Sequence, residues 1–151
     1  MCREGGPCAD FCRGQPGCRT RPVALTDEGR ARATGARLHE MGVFVALDDY
    51  GTGRSSVALL RQLPVDQLKL DGGLVGAIVE DGRARAIVRH TVLMAHALHI
   101  QVVAKGVENA ATLELVDELG CDHAQGFLLA APMPGEELTG WLAARRTPVH
   151  D

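Results

Sequence analysis

The sequence lacks the features that mark several broad classes of protein. Aromatic residues make up only 3% of its 151 residues, so a buried core must be built from Ala, Val, Leu and Ile. No apolar run approaches the roughly 18 residues that a membrane-spanning helix needs. The first residues also lack the charged, apolar and small-residue order of a secretion signal. We therefore expect no membrane span and a location in the cytoplasm.

The sequence also lacks a large excess of charge of one sign. Its formal net charge is −3, whereas sequence-independent binding to long nucleic acids needs a strongly basic face. Long DNA or RNA is therefore not an expected partner. The hydrophobic content of 46% and the charged content of 23% are ordinary for a globular protein, and the length corresponds to one domain.

Cysteine is scarce outside residues 1–22, a segment rich in Gly, Pro and Arg that shows no periodicity. The cysteine spacing there does not match the common paired zinc-ligand patterns. We therefore favour a disordered, reducible tail over a metal site, and we expect a second short tail at 146–151. The cysteines of the first segment are Cys2, Cys8, Cys12 and Cys18.

From residue 23 onward, strand-like and helix-like apolar patterns alternate. A helical pattern comes first, and each of four predicted strands is followed by another helical pattern. Strands separated by helices imply parallel pairing with right-handed crossovers. The order therefore predicts an α/β fold of about four β/α units, which is half of a TIM-type barrel, with a flavodoxin-like open sheet as the alternative. The predicted strands are 43–47, which we expect to be fully buried, 67–71, 101–104 and 123–126.

Polar side chains lie at the carboxyl end of every predicted strand, which is where TIM-type barrels carry their functional groups. Each residue also has a plainer interpretation, because an Asp pair often caps a turn and a Lys on a short strand is often only solvated. Their meeting on one rim of the sheet nevertheless predicts a shared site. The rim residues are Asp48, Asp49, Lys69 or Asp71, residues 105–108, and Gln125.

Four motifs follow one another along the chain: D-D-Y-G-T-G at 48–53, L-P-V-D-Q-L-K-L-D at 63–71, V-A-K-G-V-E at 103–108, and L-G-C-D-H-A-Q-G-F at 119–127. In this order and spacing they resemble the motifs of EAL domains, whose intact members hydrolyse the bacterial second messenger cyclic di-GMP. The resemblance runs from about residue 23 to residue 141 and implies a partial EAL domain at 23–145.

The resemblance implies that two divalent cations, Mg or Mn, bind at the rim and generate the attacking hydroxide. Asp48 and Asp49 correspond to metal ligands, since hard cations prefer carboxylate oxygens. Lys69 would hold the nucleophilic water or a phosphate oxygen as a point charge. Glu108 would support the active-site loop from behind the ligands, and Gln125 would contact the substrate or order the metal's surroundings.

The same resemblance implies a coupling role for the loop formed by Gly51, Thr52 and Gly53. In intact members this loop links metal occupancy to dimer contacts through the helix that follows it. Together with the unpaired strand edges expected of a half barrel, it leads us to expect a homodimer or another protein partner.

Two departures from the family pattern predict a truncated and catalytically degenerate domain. Lys105 stands where the family has a glutamate that activates water. Lysine is a poor general base unless its pKa falls far, and it repels a cation where attraction was needed. The Glu-Ala-Leu motif and the asparagine from the first half of the barrel are also missing, although 25–28 could be a remnant of an earlier acidic motif.

Two alternatives remain open. In one, the chain assembles with another chain and hydrolyses cyclic di-GMP to linear pGpG. In the other, it is a non-enzymatic cyclic di-GMP receptor or protein-interaction module, in which Lys105 neutralises Asp48 and Asp49.

Overall fold

Four parallel strands, separated by helices, form the framework of the chain. The computed structural model describes residues 28–52 and 57–145, so both predicted tails and Gly53 lie outside the described residues. Within these ranges no helix has the length and apolar character needed to cross a membrane. The elements are α1 (Glu28–Glu40), β1 (Ala46–Tyr50), α2 (Val57–Gln62), β2 (Gln67–Leu70), α3 (Gly72–Gly76), a 3-10 turn (Ala77–Val79), α4 (Gly82–Ala97), β3 (Gln101–Ala104), α5 (Ala110–Glu118), β4 (His123–Ala124) and α6 (Gly135–Arg145).

The sheet has the strand order β1-β2-β3-β4, and each neighbouring pair is parallel. A flavodoxin-like sheet reverses its strand order at a switch point near its first strand, so this sequential order excludes the alternative. A parallel sheet with sequential order and a helical crossover after each strand is the arrangement of a TIM-type barrel. The predicted fold class is confirmed, and about four β/α units lie within the described residues.

The hydrophobic core lies between the sheet and the helices. Alternate residues of β2 and β3 are fully buried there, packed with apolar side chains of α3, α4 and α5. Since successive strand residues point to opposite faces, Lys69 and its register partner Val103 point to the other face. In a closed barrel this second face is the inside. The fully buried strand residues of the core side are Leu68, Leu70, Val102 and Ala104.

Polar caps fix where three helices begin. The carboxylate of Asp71 accepts hydrogen bonds from the backbone N–H groups of Gly73 and Leu74 at the start of α3. Asp81 caps α4 and Asn109 caps α5 in the same way. Side chains of this kind satisfy backbone donors that have no partner within the helix. Asp71, one of the predicted rim residues, is therefore engaged as a helix cap.

Two aspartates stabilise the amino-terminal edge of the sheet, opposite the predicted rim. Each comes just before a strand and accepts a hydrogen bond from a backbone N–H at the start of the preceding strand. Each also lies beside a histidine from the last turn of a helix. Asp66 accepts from the N–H of Val45 at 2.8 Å and lies 3.5 Å from the His39 ring. Asp122 accepts from the N–H of Val102 at 2.8 Å and lies 2.9 Å from the His96 ring.

The first strand differs from its prediction. It covers Ala46–Tyr50 instead of 43–47, and its residues are partly or fully exposed. The apolar residues that suggested a buried strand, Val43 and Phe44, precede it and are 43% and 49% exposed. Within the described residues β1 pairs only with β2, so it has neighbours on one side only. The prediction of a fully buried first strand was wrong for this reason.

Candidate active site at the carboxyl end of the sheet

A β-bulge places two successive carboxylates on the same side of β1. Leu47 pairs with Leu68 and Tyr50 pairs with Leu70, so the two aspartates between them lie opposite the single residue Lys69. Successive residues of a regular strand point to opposite faces, but an extra residue in one strand breaks that alternation. Asp49 also has a φ of +54°. The result is a convergence of Asp48 and Asp49 on one point.

That point is occupied by the ammonium of Lys105. Its Nζ donates hydrogen bonds to Asp48 Oδ1 at 2.7 Å and to Asp49 Oδ1 at 2.6 Å. The Lys105 side chain is only 16% exposed, whereas those of Asp48 and Asp49 are 44% and 60% exposed. We call these three residues the Asp-Lys cluster. Its hydrogen bonds are short and charge-assisted, the stronger class of such bonds.

The Asp-Lys cluster keeps Lys105 charged. Burial alone would lower the pKa of Lys105, but its hydrogen bonds with Asp48 and Asp49 and their negative charges act in the opposite direction and prevail, so the pKa is raised above 10.5. An amine with a raised pKa does not accept a proton at neutral pH. At this position the chain therefore presents a fixed cation and no base.

The backbone around Lys105 fixes the position of the cluster. Its N–H donates to the carbonyl of Leu70 at the end of β2, at 3.3 Å. The next residue, Gly106, has a φ of +71°, and a Cβ there would lie 2.9 Å from the Cα of Gly72. Only glycine tolerates both this φ and this approach. Lys105 thus starts from a tightly packed corner after β3 and reaches across β2 to β1.

The loop after β1 packs on the start of α3. Gly51 has a φ of +111°, and a Cβ there would lie 2.9 Å from Cδ2 of Leu74. The hydroxyl of Thr52 donates to the backbone carbonyl of Asp49 at 3.1 Å. The N–H of Asp71 donates to the carbonyl of Tyr50 at 3.0 Å. Thr52 is therefore bonded to the bulge and Gly51 packs against α3, while the predicted role of this loop in dimer coupling stays a prediction.

The other predicted site residues lie on the same rim. Lys69 is half-buried, directly opposite the bulge. Gln125 follows β4, where its N–H donates to the carbonyl of Ala104 and its carbonyl accepts from the N–H of Val107. Glu108 is exposed at the end of the loop that begins with Lys105. The roles predicted for Lys69, Gln125 and Glu108 stay predictions.

The residues at this rim do not fit a divalent cation. Mg²⁺ and Ca²⁺ require a shell of several oxygen ligands, but here both carboxylates contact an ammonium. In the described part of the chain, no group of three or more His, Cys, Asp and Glu side chains is arranged to hold a metal ion. The metal-ligand roles of Asp48 and Asp49 therefore also stay predictions.

The bulge itself could not be seen in the sequence. Two adjacent aspartates after an apolar run are compatible with a regular strand or with a turn. The glycines gave the better signal, because Gly51, Gly72 and Gly106 each come within one or two residues of a strand end and each has a close backbone or side-chain neighbour. Glycine permits such close approaches, as well as the positive φ values found at Gly51 and Gly106.

Comparisons with known proteins identify relatives of this arrangement. The profile of the EAL domain matches residues 20–132. The bifunctional diguanylate cyclase/cyclic di-GMP phosphodiesterase MucR of Pseudomonas aeruginosa is 39% identical over 124 residues, which are 82% of this chain and 18% of MucR. The chain spans about a fifth of the length of the first curated relatives it matches.

Solved structures give the same result. The EAL domain of Mycobacterium smegmatis DcpA aligns with a TM-score of 0.76 and 41% identity, over 83% of this chain and 56% of that one. Klebsiella pneumoniae BlrP1, in a complex with manganese and cyclic di-GMP, aligns with a TM-score of 0.68 and 34% identity, over 72% of this chain and 28% of that one.

Proposed function

The chain belongs to the EAL domain family of cyclic di-GMP phosphodiesterases, and we propose that it is a catalytically degenerate member. The observation that carries this proposal is the contact of the Lys105 ammonium with both Asp48 and Asp49. By family resemblance those two carboxylates would hold the catalytic cations. In this chain both contact one internal ammonium, which offsets one of their two negative charges.

The charge of Lys105 opposes metal binding directly. Two unit charges about 4 Å apart interact by roughly 4 kcal/mol at an effective dielectric of about 20. A divalent cation at that distance from the ammonium would meet about twice this repulsion, roughly 8 kcal/mol before screening by solvent. Solvent reaches Asp49 and reduces this figure. The ion must also break two charge-assisted hydrogen bonds, so the cluster favours lysine over metal.

The substitution also removes a group that could activate water. A glutamate at this position could accept a proton or support a metal-bound hydroxide, whereas Lys105 is held in its charged form. General-base catalysis needs a group whose pKa lies near the working pH. Both proposed losses, of metal and of base, therefore follow from one residue.

Calorimetry with Mn²⁺ and cyclic di-GMP, followed by a product assay for pGpG, tests the proposal. We expect the unaltered chain to take up no Mn²⁺ and to form no pGpG. Lys105→Glu should gain Mn²⁺ affinity if Lys105 is the main obstacle. Arg89→Glu makes the same charge reversal at an exposed position of α4 and should behave as the unaltered chain does.

Two outcomes decide the matter. Mn²⁺-dependent formation of pGpG by the unaltered chain would show that the chain is an active enzyme and that the proposal is wrong. Failure of Lys105→Glu to gain Mn²⁺ affinity would remove Lys105 as the main cause and would mean that metal binding needs ligands outside residues 28–145.

A second candidate function is binding of cyclic di-GMP without hydrolysis. Lys69 keeps its place on the inner face of the sheet, opposite the bulge and beside Val103, where a point charge suits a phosphate oxygen. In the calorimetric experiment, nucleotide binding without metal would favour this receptor function. Heat that disappears in Lys69→Met and persists in Arg89→Met would place the nucleotide on the rim.

Assembly with another chain is the third possibility, and the sheet edges favour it. Within the described residues, β1 pairs only with β2 and β4 pairs only with β3. Unpaired parallel edges are sites where another strand can add. Light scattering at several concentrations would detect a homodimer, and a dilute monomer would exclude self-assembly.

A further inference from the structure

We propose that Lys105 is a built-in cation that holds the β1 bulge and the loop after it in one conformation without a metal ion. The proposal rests on the family membership stated above, and it assigns Lys105 a positive structural role in addition to a lost chemical one. In it Lys105 is a positioning residue, since it acts through the two aspartates and the loop that they begin.

The two aspartates of the bulge share one counter-charge. Asp48 and Asp49 both approach the same Nζ, so their two contacting oxygens can be no farther apart than the sum of two hydrogen-bond distances of 2.7 and 2.6 Å. Two carboxylates this close repel each other, and the Lys105 ammonium offsets that repulsion. Without it the two side chains would no longer be held together, and the backbone of the bulge would lose this constraint.

The backbone at the bulge is also strained. Asp49 has a φ of +54°, a conformation that most residues with a Cβ avoid. Its N–H donates to the side chain of Asp48 at 2.9 Å, which helps to hold the turn. An aspartate adopts this conformation more readily than most residues because its short side chain can hydrogen-bond locally. The hydrogen bond to Lys105 fixes the Asp49 side chain in the matching orientation.

The bulge determines where the following loop begins. The carbonyl of Asp49 accepts from the hydroxyl of Thr52 at 3.1 Å, and Gly51 packs directly against Leu74 of α3. A change in the backbone at Asp49 would therefore disturb the hydrogen bond of Thr52 and the packing of Gly51 on α3. The influence of Lys105 reaches α3 through this chain of contacts.

Lys105 is well placed to act as a fixed cation. It is separated by 57 residues from Asp48 along the sequence, and its backbone is tied to β2 and to Gly72 rather than to β1. Its side chain is 16% exposed, so it is less free than a surface lysine to leave the cluster. The hydrogen bonds of Lys105 with Asp48 and Asp49 therefore join the end of β3 to β1 across the intervening strand β2.

Amide hydrogen exchange of residues 47–52 and 72–76 is the test. In Lys105→Met we expect the amides of both segments to exchange at least about tenfold faster, the factor that corresponds to about 1.4 kcal/mol of local opening free energy. Lys105→Arg, which keeps the charge, should restore most of the protection. Arg89→Met removes one positive charge from an exposed position of α4 and should leave exchange in both segments unchanged.

A second background separates charge from packing. In the double variant Asp48→Asn/Asp49→Asn neither side chain is charged, so there is no repulsion for Lys105 to offset. Adding Lys105→Met to this variant should therefore change amide exchange much less than it does in the unaltered chain. An equally large change would overturn the proposal, because Lys105 would then act by packing alone. This background also provides a folded reference if Lys105→Met alone does not fold.

Addition of Mn²⁺ completes the test. The unaltered chain should show the same exchange with and without millimolar Mn²⁺, because its cation is already present. Protection that appears only with Mn²⁺ would overturn the inference. If the unaltered chain forms no pGpG and amide exchange is unchanged in Lys105→Met, this inference alone is overturned. If the unaltered chain forms pGpG and exchange is faster in Lys105→Met, only the proposed degeneracy is overturned.

Discussion

Replacing Gly106 with Ala tests the packing that positions the Asp-Lys cluster. Gly106 directly follows Lys105 and has a φ of +71°. A Cβ at this position would lie 2.9 Å from the Cα and 3.4 Å from the carbonyl oxygen of Gly72. Because both are backbone atoms at the start of α3, neither can rotate away as the end of a flexible side chain can.

The expected cost has two parts. A left-handed backbone conformation costs a residue with a Cβ about 1–2 kcal/mol. Forcing an additional carbon into a packed position typically costs about 1–3 kcal/mol. Gly106→Ala should therefore lower the free energy of unfolding by about 2–5 kcal/mol. It should also weaken the contacts of Lys105 with β1, since the strand ends must separate to admit the methyl group.

Urea denaturation followed by circular dichroism measures this cost, and Gly42→Ala is the matched control. Gly42 has nearly the same φ, +73°, but a Cβ there would have no neighbour within 4 Å. It should therefore lose only the backbone term, about 1–2 kcal/mol. If Gly106→Ala and Gly42→Ala lower the free energy of unfolding equally, the close approach of Gly106 to Gly72 does not exist and the proposed anchoring of Lys105 is refuted.

Three further predictions concern titration and the amino-terminal edge of the sheet. The pKa of Lys105 is raised in the folded chain, so the stabilisation that its charge contributes is complete below pH 10.5 and is lost as the pH rises through the folded pKa. The difference in unfolding free energy between the unaltered chain and Lys105→Met should therefore shrink in alkali. A constant difference would contradict this. Burial, together with the charge of Asp122, raises the pKa of Cys121 from 9.0 to about 12. At pH 8 iodoacetamide should therefore alkylate Cys121 roughly a thousandfold more slowly than a model thiol, as measured by mass spectrometry of the peptide that contains it. Rapid alkylation of Cys121 in the folded chain would argue against its burial. Asp122→Ala leaves the buried N–H of Val102 without its acceptor. The free energy of unfolding, measured by urea denaturation, should therefore fall by about 1–3 kcal/mol. An unchanged free energy of unfolding would mean that water replaces the carboxylate as the acceptor.

The order of elements could be predicted from the sequence because each unit carries its own local signals. The third strand lies where it was expected, at Gln101–Ala104. The helix after it ends before Gly120, whose φ of +83° is the conformation that a glycine after a helix commonly adopts. Alternation of strands and helices then leaves few arrangements of the sheet.

The burial of the first strand could not be predicted in the same way. An apolar run indicates a strand that is buried on both faces only if the sheet continues on both sides of it. Val43 and Phe44 are apolar but exposed, because no strand within the described residues lies on the far side of β1. The exposure of this segment therefore depends on which strands lie beside it and not on its own apolar sequence.

The candidate site was predictable as a set of residues but not as a structure. Asp48, Asp49 and Lys105 were expected on one rim, because the carboxyl ends of parallel strands share an edge. Their direct contact depends on a one-residue bulge in β1 and on a side chain that crosses β2. Neither leaves a periodic signal in the sequence, since both arise from tertiary packing. Two other aspartates of the motifs, Asp66 and Asp122, belong to the opposite edge and stabilise strand starts.

The contact of Lys105 with both aspartates does not depend on which strands complete a barrel, and this decides between the remaining alternatives. Strands from another chain would add ligands at the rim but would leave the Lys105 ammonium in contact with both aspartates. We therefore expect a mixture of this chain with the first half of an active EAL domain to remain inactive, and the Lys105→Glu form to gain Mn²⁺-dependent hydrolysis of cyclic di-GMP to pGpG. Activity of the unaltered chain in that mixture would mean that a metal displaces Lys105, and the cluster would then be a reversible occupant of an active site.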